Sequence, residues 1–184
     1  MSIEQNLNKI KNTLPNDVIL VAVSKTKPIQ DLQQAYNAGQ RIFGENKIQE
    51  MTEKFEALPK DIEWHMIGHV QTNKVKFMAP YVALIHGVDS YKLLEEINKQ
   101  AAKNNRVINC LLQVHIAEEE TKFGFSEQEL LDLFKSNDLE KLKNIQIKGL
   151  MGMATFTENT NQIENEFLNL KTIYIQSQKQ NAAI

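Results

Sequence analysis

Two lysines close the apolar run Val18-Ile19-Leu20-Val21-Ala22-Val23-Ser24-Lys25-Thr26-Lys27-Pro28. An amine is the side chain that condenses with a carbonyl, provided part of it is unprotonated. Side chains alternate along a strand, so Val21, Val23 and Lys25 share one side while Ala22, Ser24 and Thr26 share the other. The run reads as a strand buried on both faces of a parallel sheet. That places an ammonium where the pattern asks for another valine. Isolated charge in such a setting is costly, so Lys25 must be paired, neutralised or covalently used. The chemistry this suggests is a Schiff base with a carbonyl cofactor, with Lys27 favouring the unprotonated amine by like-charge repulsion. The competing reading has Lys25 mark the strand end and extend its ammonium into water. One lysine is too weak a motif to choose between them.

Other reactive residue types recur at the ends of successive apolar segments: Glu45-Asn46, His65, Asp89 and Lys122. Asn46 either caps the helix that follows or offers a hydrogen bond to a ligand beside Lys25. His65, inside an apolar strand, reads first as a core histidine with a hydrogen-bond partner. His65 and His69 lack a third ligand at standard metal spacing, so a metal site is rejected. His86 and His115 read as strand-packing groups. Lys122 follows three glutamates, which suits a solvated, salt-bridged loop, or else it supplies a second ammonium at the rim beside Gly124. The single cysteine, Cys110, lies in an apolar run and reads as a core thiol.

The elements that must position these groups follow from periodicity. Ser2 and Gln5 are spaced as a capping box for a helix to about Thr13. After Pro15-Asn16-Asp17 and the first strand, Pro28 opens a helix ended by Gly39. Arg41 to Gly44 is a second strand, with Glu45-Asn46 opening a helix that carries Ile48, Met51, Phe55 and Leu58. Ile62 to Ile67 is a third strand, and a short helix before Pro80 follows it. Val82 to Val88 is the fourth strand, with Asp89 and Ser90 capping a helix buried through Leu93, Leu94, Ile97 and Ala101. Val107 to Ile116 is the fifth strand, Ser126 and Glu129 box the next helix, and Ile145 to Met153 is the sixth strand. A last helix from about Asn161 presents Ile163, Phe167, Leu170 and Ile173-Tyr174 on one face. Gly68, Gly124, Gly149 and Gly152 fall at strand ends or in loops.

Strands alternating with helices at this cadence form parallel β/α units, about six after a preliminary helix. Neither GxGxxG nor GxxxxGK[ST] follows the first strand, which argues against dinucleotide and P-loop sites. Reactive groups gathered at strand C-termini favour a (β/α)8 TIM-barrel type over an open doubly wound sheet. The whole of residues 1–184 reads as one domain. With a net charge of -2 and scattered basic residues, nothing suggests a nucleic-acid footprint. No apolar run reaches membrane-span length, and the N-terminus is polar where a secretory signal has an apolar core. With one cysteine, a reducing cytoplasm fits best.

The motifs Ala22-Val23-Ser24-Lys25-Thr26-Lys27-Pro28, Phe43-Gly44-Glu45-Asn46 with Gln49-Glu50, and Trp64-His65-Met66-Ile67-Gly68 with Gln71 and Asn73-Lys74 together resemble the YggS/PROSC family. Thr121-Lys122-Phe123-Gly124 and Gly149-Leu150-Met151-Gly152-Met153 continue the likeness to about Lys171. The resemblance implies a fold like the N-terminal barrel of alanine racemase and pyridoxal 5′-phosphate (PLP) as cofactor. It further implies an aldimine on Lys25, no robust turnover, and a homeostatic role of holding PLP and handing it to apo-enzymes. Asn46 and His65 would then be contacts near the ring, with Lys27 and Lys122 as rim ammoniums that tune Lys25 or accept PLP in transit. A PLP-dependent racemase-like enzyme is the alternative, although racemases draw a catalytic tyrosine from a second domain.

The family pattern continues with segments of the form S-x-G-M-S and V-R-I-G, expected to grip phosphate and ring, and neither motif occurs here. The expectation is therefore a barrel lacking its last two strands, with weaker PLP affinity than a complete relative and two open edges inviting association. A remnant with weak or no PLP binding is the third reading.

Overall fold

The computed structural model describes residues 1–119 and 123–180. Its elements run α1 (Ile3–Lys11), β1 (Ala22–Val23), α2 (Ile29–Asn37), β2 (Ile42–Glu45), α3 (Ile48–Ala57), β3 (Glu63–Met66) and α4 (Val75–Met78). They continue as β4 (Leu84–Val88), α5 (Tyr91–Lys103), β5 (Ile108–Val114), α6 (Glu127–Lys135), β6 (Ile145–Gly152) and α7 (Thr160–Gln180). Both capping boxes form: the Ser2 hydroxyl accepts from the Gln5 N–H, and the Ser126 hydroxyl from the Glu129 N–H, each with its reciprocal bond.

All strands are parallel, and their spatial order β1-β2-β3-β4-β5-β6 is their order along the chain. A doubly wound sheet reverses direction at a switch point, whereas a barrel adds each strand beside the last. The sheet is therefore barrel-like and partial, since β1 and β6 do not pair among the described residues.

Alternation sorts the two faces. Phe43 on β2 and Trp64 on β3 are register partners whose rings pack at 6.0 Å. They point outward into a core shared with Ile48 and Met51 of α3, Val75 and Met78 of α4, and Leu94 and Ile97 of α5. The inner face carries Gly44, His65 and His86 instead. Most apolar burial thus lies between sheet and helices, where the hydrophobic effect is strongest for a sheet covered on one side.

Three sequence expectations are corrected. The opening run is not a strand buried on both faces: only Ala22 and Val23 are strand, and Ile19 and Val23 are 71% and 54% exposed. Among the described residues β1 has β2 as its one ladder partner, so it is an edge strand with one flank uncovered. On α7 the buried residues are Glu166, Ile173 and Ser177, while Phe167 is exposed, because this helix covers the edge strand β6. Gly149 lies inside β6, not at its end. The ladder pairs Cys110 with Ile147 and Leu111 with Gly149, so Lys148 is the extra residue of a bulge. The φ of +149° at Gly149 is one that glycine adopts freely.

Candidate functional site

Lys25 sits just past β1 in a reverse turn closed by the Lys27 N–H donating to the Ser24 carbonyl at 3.1 Å. Its side chain is exposed, which corrects the expectation of a buried ammonium. Its amine has no hydrogen-bond or ion-pair partner among the described residues. Lys27 ends the same turn and is also exposed. Thr26, between them, has φ +63°, a left-handed conformation that a β-branched residue rarely takes.

Beneath the turn lies a buried ionic cluster. Ser24 faces outward by alternation, and its hydroxyl donates to Glu45 Oε1 at 2.7 Å. The Lys54 ammonium, from α3, donates to Glu45 Oε1, to Glu50 Oε1 and to the Ser24 carbonyl, each at 2.7 Å. Glu50 Oε1 also accepts from the Thr26 N–H at 2.6 Å. Glu45 and Lys54 are buried, and Glu45 Oε2 has no hydrogen-bond partner. The hydrogen bond from Lys54, reinforced by that from Thr26, holds the Glu50 carboxyl below the usual range against a smaller opposing effect of burial. Burying such charges is tolerable only because each is paired.

Val23 of β1 pairs with Gly44 of β2, so Lys25 and Asn46 each lie two residues beyond a paired position on neighbouring strands. Asn46 does not cap α3: the cap position is Lys47, and no side chain bonds the free amides there. The loop is held instead by close backbone approach. A Cβ at Gly68 would lie 2.6 Å from the Asn46 carbonyl oxygen, and one at Gly87 2.8 Å from the Gly68 oxygen. Three consecutive strand ends therefore touch through their main chains, which only glycine permits. Around them His69 Nδ1 is 3.0 Å from Asp89 Oδ2, and its ring stacks on Phe123 at 4.2 Å. Asn46, Gln49, Met66, His69, Gln71 and Lys74 line a shallow cleft of about 230 Å³, which does not reach Lys25.

His65 lies below this rim on the inner face, buried, with Nδ1 3.0 Å from His86 Nε2. Burial first, then the neighbouring imidazole, pushes His65 down to about 4, and burial also lowers His86. Both rings are neutral at pH 7, one donating to the other. His115 Nε2 meets the Glu119 carbonyl oxygen at 2.9 Å. The fold thus sets Lys25 and Asn46 at the ends of neighbouring strands, with Lys27 in the turn of Lys25, and places His65 deeper on β3, one strand from Asn46 and two from Lys25. Lys122 lies outside the described residues.

By residue type Glu45 is conspicuous only as the strand-end neighbour of Asn46, and Glu50 and Lys54 are not conspicuous at all. Glu45 reads as a helix opener but is the last residue of β2, and Lys54 reads as one helical cation among many. The available signal was the Glu50/Lys54 spacing, an i,i+4 pair of opposite charge beginning at the first turn of α3.

The family model described as "Alanine racemase, N-terminal domain" matches residues 1–183. The chain belongs to that family, and within it to the YggS/PROSC group that its motifs resemble. It is 40% identical over 162 residues to the pyridoxal phosphate homeostasis protein of Aquifex aeolicus, spanning 88% of this chain and 70% of that one. It is 37% identical to the protein of the same name from Haemophilus influenzae, spanning 96% and 79%. Among solved structures, PipY of Synechococcus elongatus without PLP superposes with a TM-score of 0.94 at 32% identity, covering all of this chain and 85% of PipY. PipY with PLP bound gives 0.88 at 31% identity over the same shares. An alanine racemase of Clostridium difficile shares the fold, with a TM-score of 0.81 at 15% identity over 48% of its length.

Proposed function

We propose that this chain binds pyridoxal 5′-phosphate through the Lys25 amine, holds it, and passes it to apo-enzymes that need it. The observation that carries this reading is an exposed, unpartnered primary amine on a turn pinned from below by buried charges. Most protein lysines are free to wander; this one is presented from a fixed backbone. The residues present fit the cofactor: an amine at the C-terminal end of a barrel strand and an Asn46 amide at the end of the neighbouring strand, neither with a hydrogen-bond partner among the described residues.

When bound, PLP supplies an aldehyde carbon with which an amine condenses, releasing one water, and a phosphate dianion. The protein's part is to present Lys25, to offer the Asn46 amide as a hydrogen-bond donor or acceptor, and to keep His65 and His86 neutral beneath the rim. Lys27 adds positive charge at the rim, which favours approach of an anionic cofactor. We assign a carrier role rather than a catalytic one, supported by the names of the curated relatives. The reading includes one domain, supported by a continuous sheet and core, and a reducing cytoplasmic setting, supported by the buried free thiol of Cys110. Among the described residues no helix is long and apolar enough to cross a membrane.

The test is reductive trapping. The chain is incubated with PLP, reduced with borohydride and mapped by peptide mass. The expected label falls on the peptide containing Lys25 and disappears in Lys25→Ala. Label confined to other lysines refutes the proposal.

A further inference from the structure

We propose that Glu50 is a positioning residue for Lys25, acting through the backbone of Thr26, with Lys54 and Glu45 as the buried frame that holds Glu50 in place. This rests on the reading of Lys25 given above and adds how its amine is made ready.

The turn Ser24-Lys25-Thr26-Lys27 needs a positive φ at its third residue, a position that glycine or asparagine ordinarily fills. Here it is threonine at +63°. A β-branched residue stays in that region only when its surroundings compel it. The compelling contact is a hydrogen bond from the Thr26 N–H to Glu50 Oε1 at 2.6 Å. Glu50 is not free to move away, because the Lys54 ammonium binds the same oxygen at 2.7 Å. Lys54 in turn is anchored by the buried Glu45 carboxylate and by the Ser24 carbonyl at the start of the turn.

The cluster therefore grips the turn on both sides of Lys25, at the Ser24 carbonyl and at the Thr26 N–H. It makes no contact with the Lys25 amine itself. Lys54 is the cation that is neutralised and buried; Lys25 is the one left exposed and, among the described residues, unpaired on a fixed main chain. That division of labour has a chemical use. An amine held on a rigid turn meets an aldehyde with less orientational freedom to lose, and a small misplacement is costly in rate.

The experiment measures the rate of borohydride-trappable capture of PLP at Lys25, resolved by peptide mapping, in Glu50→Ala, Thr26→Gly and the double variant. Circular dichroism confirms that each is folded, and melting temperature is recorded separately. Glu50 is at the surface end of the cluster, so Glu50→Ala leaves the buried Glu45–Lys54 pair intact. The expected result is capture at Lys25 slowed about tenfold in Glu50→Ala. Adding Thr26→Gly should restore it to within about twofold, because glycine holds a positive φ without the clamp. A merely structural Glu50 would lower the melting temperature and leave the capture rate of folded protein unchanged, and that result overturns the proposal. A slowed rate that Thr26→Gly does not restore also overturns it. If the unaltered chain is labelled only at other lysines, the function proposed above fails first, an outcome separate from these two.

Discussion

The Lys54 ammonium lies 2.7 Å from Glu45 Oε1, and neither side chain is more than 5% exposed. The pair joins α3 to the end of β2 at the level of the turn that follows β1. Removing one partner leaves the other charged and out of water, so Lys54→Met should destabilise the fold by about 3–5 kcal/mol. The double variant Glu45→Leu/Lys54→Met should recover most of that loss, because no buried charge remains. Urea unfolding of the four chains in the cycle measures the coupling. Equal losses in single and double variants would show that packing, not charge, dominates there.

Two glycines separate close approach from backbone conformation. At Gly68 a Cβ meets main-chain atoms of Asn46, which cannot swing aside. Gly68→Ala should cost about 1–3 kcal/mol as overpacking and displace Asn46 from the rim. Gly39 has φ +89° and open space where a Cβ would go. Gly39→Ala should cost about 1–2 kcal/mol from the left-handed strain alone. Only Gly68→Ala is expected to reduce PLP capture, and a reduction in Gly39→Ala instead would contradict the placement of Asn46.

The His65–His86 pair makes stability depend on pH in a defined window. The folded His65 takes a proton near pH 4, whereas an unfolded histidine does so near its ordinary value of 6.5. Above 6.5 both states are neutral and the fold keeps its full stability. As pH falls from 6.5 toward 4 the unfolded chain binds protons that the folded chain refuses, so stability declines, by at most about 1.4 kcal/mol per pH unit for His65. Below about 4.5 the lowered Glu50 carboxyl adds its own loss in the same direction. Melting temperature measured from pH 7.5 to 5 should fall in the parent and fall less in His65→Gln. Parallel curves would remove the pair from this role.

Cys110 is wholly buried on β5, and burial pushes its thiol up to about 12. A thiolate is the reactive form, so native protein should react with an aromatic disulfide reagent only as fast as it unfolds. Reaction within seconds at pH 8 without denaturant would place Cys110 at the surface.

Much of the architecture was legible in residue order. Capping boxes at Ser2/Gln5 and Ser126/Glu129 and the alternation of strand and helix depend on neighbours along the chain, and local physics decides them. Lys25 could be picked out because an amine ending a β-branched run is chemically conspicuous, and the surrounding motifs carried the family resemblance. Local pattern could not say what covered that run. Val21-Ala22-Val23 looks buried on both sides by composition, yet edge position leaves Val23 exposed, a fact about which strands pair and not about residue type.

The ionic frame was likewise invisible, because Ser24, Glu45 and Lys54 are separated by 21 and 9 residues along the chain. Their meeting requires β2 to lie beside β1 and α3 to fold back against β2, so that Lys54 reaches the Ser24 carbonyl. The chain by itself marked one amine, Lys25, as chemically conspicuous. Only the tertiary structure decided which of two nearby lysines is buried in a salt bridge and which stays free, since charge pairing is set by distance in space.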